Sequence, residues 1–168
     1  MRKSFVTALA VALLGAMTLG AVASSASAPH KPAKNIVQTA VAAGQFKTLT
    51  KLVKEAGLAG ALQAKGPYTV FAPTDAAFRK VPKSTLNSLA RNRAKLRAVL
   101  LYHVVAGKVT SSDVAMLKSA KTLNGKSVRI RTASGNVFVN KAKVTKADVN
   151  ASNGVIHVIN RVLIPPAR

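Results

Sequence analysis

The chain has 168 residues, with 26 Lys and Arg against 4 Asp and Glu, a formal charge of +22 and a pI near 11.6. Hydrophobic residues make up 49%, enough for a buried core and too many for a disordered basic tail, while aromatics are only 4% and Trp is absent. The absence of Cys excludes disulfides, thiol nucleophiles, Cys-ligated zinc, iron–sulfur clusters and lipidation through Cys.

Arg2 and Lys3 open the chain, Phe5 to Leu14 is an apolar or small-residue run, and small residues lead to Ala21-Val22-Ala23 and Ala26-Ser27-Ala28. Residues 1–28 therefore read as a secretory signal segment, cleaved after Ala23 or Ala26. An uncleaved anchor is the competing reading, because Phe5 to Ala23 approaches bilayer-spanning length. The glycines and the small-residue tail favour processing. Arg2-Lys3 is not a twin-Arg pair, and no second spanning run follows. The expected product is secreted, periplasmic or extracellular, with no membrane span in the mature chain and a charge still about +20.

Residues 29–34 form a Pro- and Lys-containing lead-in, and one domain is expected over 35–166. Ile36, Val37, Ala40 and Val41 fall on one helical face that Gly44 ends. Phe46, Leu49, Leu52 and Val53 form a second, ended by Gly57, and Leu58 to Leu62 adds an apolar turn. Tyr68-Thr69-Val70-Phe71-Ala72 reads as a buried strand that Pro73 ends, with Thr74 capping a short helix from Asp75 to Phe78. A helix from Ser84 turns Leu86 and Leu89 inward. Another runs from Asn92 to Val105, with Leu96, Val99, Leu100 and His103 on one face. Ser111 or Ser112 caps a brief helix through Leu117. Strand signals then dominate: the Asn124-Gly125 turn, Val128 to Arg131, the Ser134-Gly135-Asn136 turn, Val137 to Val139, Val144 to Val149, and Val155 to Ile159 after Asn153-Gly154. Early helices, late hairpins and one inserted early strand predict an α+β domain.

Three segments then carry a resemblance. Thr69-Val70-Phe71-Ala72-Pro73-Thr74-Asp75-Ala76-Ala77-Phe78 resembles the first signature box of the fasciclin-like domain, and Asn153-Gly154-Val155-Ile156-His157-Val158-Ile159, continuing to Leu163-Ile164-Pro165, resembles the second. Leu100 to Val105 is similar to the family's Tyr-His segment. The resemblance covers roughly residues 33–165. It implies a sandwich-like β wedge with helices packed around it, in a secreted or surface protein of adhesion and matrix contact, with no general catalytic site. It also implies contact roles for Tyr102 and His103, and for Asp148-Val149, which stand where animal members carry an Asp-Ile pair. Here the Ile is Val149 and the next residue is Asn150, a departure that weighs against integrin recognition.

The residues alone give plainer readings. Asp75 suits a helix start, His103 and His157 suit a core, and Asp148 suits a turn or strand end. The whole acid–base inventory is Glu55, Asp75, Asp113 and Asp148 with His30, His103 and His157, too thin for a recognisable catalytic or metal site, and no cofactor is expected. Asn150-Ala151-Ser152 fits the short glycosylation pattern. The basic residues are the anomaly: Arg91, Arg93, Lys95 and Arg97 around one helix start, Arg129 and Arg131 two apart on a strand, then Lys141, Lys143 and Lys146. Such a surface attracts polyanions by counterion release. The expected function is a non-enzymatic binding module whose partner is a cell-surface or matrix protein or an anionic polysaccharide. Extracellular nucleic acid, bound nonspecifically, is the alternative, and a hydrolase with a site assembled from distant residues is a further one.

Overall fold

Tyr68 to Pro73 carries apolar side chains on both alternating faces, the pattern of a strand covered on both sides. The computed structural model describes residues 33–166, so the expected signal segment and most of the expected lead-in lie outside the described residues. In it, this run is strand β1 (Tyr68–Pro73). It pairs in parallel with β7 (Gly154–Ile159), in register from Tyr68↔Gly154 to Pro73↔Ile159, and antiparallel with the short β2 (Val104–Ala106).

Helices α1 (Ile36–Ala43), α2 (Lys47–Glu55) and α3 (Ala59–Gln63) precede β1. Helices α4 (Asp75–Arg79), α5 (Lys83–Arg91) and α6 (Arg93–Tyr102) connect it to β2. After α7 (Ser111–Met116) come β3 (Ser119–Lys121), β4 (Ser127–Ala133), β5 (Asn136–Val139), β6 (Ala142–Ala151) and finally β7. The seven strands lie in the order β2-β1-β7-β6-β5-β4-β3. The two ends of that order meet, because Val105 bridges Thr122 and the Leu123 N–H donates to the Val104 carbonyl at 2.8 Å. The sheet is thus a nearly closed wedge in an α+β domain, with helices packed around it.

Period two in β1 and β7 separates two cores. Val70, Ala72, Ile156 and Val158 face the helices and join Ile36, Leu49, Val53, Leu96 and Leu100. Phe71 and Ile159 face the wedge interior, with Tyr102, Val114, Val128, Ile130 and Val139. Each aliphatic side chain so buried contributes about 1.5–3 kcal/mol.

Four expectations are corrected. Val41 is 56% exposed, so only Ile36 and Ala40 of α1 are buried. The helix expected to reach Val105 stops at Tyr102, and Val104 and Val105 form β2, because the free side of β1 requires a partner. Strand β3 begins at Ser119, ahead of the Asn124-Gly125 turn from which strand signals were expected, and only Ala120 of its three residues is buried. Thr110, rather than Ser111 or Ser112, caps α7.

The β6–β7 turn locks β1 and β7 together. Its Asn153 side chain donates to Leu62 O (2.7 Å) and Ala64 O (2.9 Å) and accepts the Ile36 N–H (2.9 Å), joining α1 and the end of α3 to the sheet. A Cβ at Gly154 would fall 1.9 Å from the Tyr68 carbonyl oxygen, a backbone atom that cannot swing aside. Gly154→Ala is expected to cost about 3 kcal/mol in urea denaturation; a loss below about 1 kcal/mol would show that the two strands tolerate separation.

Candidate functional site

The acids come first because their positions decide what chemistry is open. Helix α2 has no side-chain cap of its own at Phe46. Asp75 supplies one from the start of α4, accepting the Thr48 N–H at 2.8 Å and the Lys47 N–H at 3.3 Å, while its own N–H donates to Gln45 O. Burial raises its pKa, but the hydrogen bonds from Thr48 and Lys47 outweigh that, and the carboxyl lies below its ordinary value. Asp113 closes a capping box with Thr110 at the start of α7, and the Thr110 hydroxyl and N–H lower its pKa. Asp148 sits in a bulged stretch of β6 with φ 56°, and its carboxylate accepts both the N–H and the hydroxyl of Ser111, which lower its pKa. Glu55 pairs with Lys51 at 3.9 Å, the one ion pair among the described residues. Three of the four carboxylates therefore hold helix ends.

The histidines are equally engaged. His103 and Tyr102 are each only 2% exposed. His103 Nδ1 lies 2.7 Å from Val99 O, and Nε2 accepts the Leu163 N–H at 2.9 Å, which fixes the neutral tautomer with the proton on Nδ1. Desolvation pushes its pKa down to about 4, against a smaller opposing effect of the Val99 carbonyl. The Tyr102 hydroxyl donates to Ser127 O and accepts from Asn140. His157 is stacked on Phe71 and lies with Nε2 2.8 Å from Val109 O, while Nδ1 accepts the Asp148 N–H at 3.4 Å. Val149 is half-buried against the helical core. Of the four contact residues that the family resemblance implies, only the Asp148 carboxylate lies at the surface, and it is tied to Ser111.

Thr69 is a buried polar residue that sequence reasoning passed over. Its hydroxyl donates to Gly107 O at 2.7 Å and accepts the Val109 N–H at 2.8 Å. The Val109 peptide is thus held by β1 through its N–H and by β7 through its carbonyl. The one available signal was a hydroxyl residue inside an apolar strand. Asn153, read only as a turn residue, carried a weaker signal still.

The cations singled out in the sequence form two surfaces. Arg91, Arg93, Lys95 and Arg97 are all exposed around the α5–α6 junction, where Arg91 and Lys95 border a shallow groove with Ser84, Asn87, Ser88 and Asn92. The second surface is the outer face of the sheet. Val128 and Ile130 point inward, so Arg129 and Arg131 point out, and the Arg131 guanidinium lies 5.0 Å from the centre of the Phe138 ring. Lys141 occupies the β5–β6 turn, with Lys143 and Lys146 following in β6.

A nearly closed wedge with Thr69 and His157 inside it, joined by an Asn-Gly turn, is matched by the Fasciclin domain family model over residues 44–165. The chain belongs to the fasciclin domain family. This fasciclin domain is 48% identical over 136 residues to Protein sll1483 of a Synechocystis strain, covering 80% of this chain and 75% of that one. It is 40% identical over 123 residues to Transforming growth factor-beta-induced protein ig-h3 of Sus scrofa, covering 73% of this chain but only 18% of that much longer protein. The solved FAS1 domain pair of the insect cell adhesion molecule Fasciclin I superposes with a TM-score of 0.65 at 19% identity, over 80% of this chain and 52% of that one, a likeness of fold. Fasciclin domains are typically non-enzymatic and adhesion-related. No helix among the described residues is long and apolar enough to cross a membrane.

The buried histidine makes the fold acid-sensitive. The unfolded chain takes up a proton on His103 below its ordinary value of 6.5, whereas the folded chain does not until about 4. Stability should therefore fall as pH drops through that window, by about 3 kcal/mol in all, before the three capping carboxylates begin to titrate. Urea denaturation between pH 7 and pH 4 measures this. His103→Gln should remove about one proton from the slope, and an unchanged slope would show that His103 is not its source.

Proposed function

We propose that this fasciclin domain is an exported adhesion module that contacts anionic polymers of a cell surface or matrix through its basic exterior and carries out no turnover. One observation carries the reading: the acids are consumed by helix ends while the cations are left without acidic partners. Asp75, Asp113 and Asp148 cap α2 and α7, and Glu55 engages only Lys51. A general base needs a lone pair facing a substrate, but the His103 and His157 nitrogens face backbone groups. Tyr102, His103, Asp148 and Val149 accordingly hold the wedge rather than meet a partner. The adhesion role named for the insect Fasciclin I points the same way, and residues 1–28 supply the export route.

Retention on immobilised heparin and on neutral dextran across a salt series tests the reading. Strong retention on heparin that weakens steeply with salt, with none on dextran, is expected. Equal, salt-insensitive retention on both would overturn it.

A further inference from the structure

The helices cover only part of the sheet. The helical core holds residues of β1, β2 and β7 and none of β3, β4 or β5, and α7 sends Val114 into the wedge interior. The outer face of β4, β5 and the adjoining start of β6 is left open. Across it Arg131 is directly opposite Phe138, and Phe138 is directly opposite Lys143, so the three side chains form one row across three strands. Adjacent strands lie about 4.8 Å apart, which puts the two cations of the row about 10 Å apart at the backbone. Arg129 lies two residues from Arg131 on the same face, and Lys121 of β3 stands beside the same edge, opposite Ser127. None of the four carboxylates of the described residues belongs to β3, β4 or β5, and Asp148, in the far part of β6, is bound to Ser111.

The row differs from the other basic surface in its rigidity. Arg131 is held over an aromatic ring and Lys143 is half-buried, whereas Arg91, Arg93, Lys95 and Arg97 are exposed and lie over no aromatic ring among the described residues. A cation already fixed in place loses less side-chain freedom when a ligand arrives. A half-buried Phe on an uncovered sheet face has no core to serve, and holding Arg131 gives it a function.

We propose that the outer face of β4, β5 and β6 binds an anionic polysaccharide, with Arg131 on the Phe138 ring and Lys143 as its principal cations and Arg129 as an extension of the row. This inference rests on the polyanion reading above and names its surface. The chemistry favours an acidic sugar chain over single-stranded nucleic acid. Arg131 covers the Phe138 ring, Tyr102, Phe46, Phe71 and Phe78 are buried, and Tyr68 packs against the helical core, so this face of the sheet offers no free aromatic ring on which a base stacks. Carboxylate or sulfate groups spaced along a sugar chain need only the ordered cations, and Ser127 on the same face provides a hydroxyl for the sugar's own hydroxyls.

The experiment measures the affinity of the full chain for heparin, polygalacturonate, dextran and a single-stranded DNA oligonucleotide at matched salt. It compares wild type with Arg131→Gln/Lys143→Gln, with Phe138→Ala, and with the charge-matched control Lys47→Gln/Lys54→Gln on α2. The row variant should bind heparin about tenfold more weakly, with a salt dependence reduced by about two contacts, while the control loses no more than about threefold. Phe138→Ala keeps every charge and should still weaken binding about threefold, with folding confirmed by urea denaturation of each variant. Polygalacturonate binding at heparin-like strength assigns the site to carboxylates, and heparin alone assigns it to sulfates; both support the proposal. Equal losses in the two double variants overturn the row and leave the general polyanion reading standing. Tighter binding to DNA than to either acidic polysaccharide overturns the choice of partner. Wild type that fails to distinguish heparin from dextran overturns both readings.

Discussion

Strands β1 and β7 run side by side for six residues with both faces covered, so every polar group they bring inside must find its partner within the protein. Most of the distinctive polar residues follow from that demand. Thr69 and His157, one from each strand, grip the N–H and the carbonyl of Val109. His103 contributes its backbone carbonyl to the Phe71 N–H and its ring to the Leu163 N–H. Asn153 ties the turn between β6 and β7 to two helices. A buried donor left unpaired costs about 1–3 kcal/mol, so each of these side chains is held in place by the group it satisfies.

The architecture was largely legible in the sequence because its signals are local. Gly44, Thr74 and the Asn-Gly turns act within a few residues, and alternation in Val128 to Arg131 sets the inward and outward faces of β4. Where partners lie far apart along the chain, local reading fell short. Asp75 was legible as a helix-start residue, but the helix its carboxylate caps is α2, 27 residues earlier. The end of α6 was overrun because Leu100 to Val105 is apolar apart from His103, whose spacing also fits the helix face, and only the bare side of β1 dictates that Val104 turns into a strand. Thr69 was hidden for the same reason, its partners lying 38 and 40 residues away.

The basic residues were visible by number, but their grouping was not. Sequence spacing put Arg129 and Arg131 on one side of a strand. It could not show that Phe138 lies between Arg131 and Lys143, because that depends on the register of two hairpins. The assignment of the acids is the more general lesson. With so few carboxylates, spending three of them on helix ends leaves the cations to solvent and to whatever polyanion approaches. Self-repulsion in such a chain is a standing cost to stability, and an anionic partner relieves it.

The meeting of β2 with the segment after β3 has its own consequence. Open sheets carry unsatisfied backbone groups along their borders, and those borders recruit further copies into filaments. Here the Val105–Thr122 bridge and the Leu123 N–H fill much of that border from within the same molecule. Copies crowded together, as on the acidic polymer proposed above, would therefore find little foothold for strand exchange and would stay separate beads.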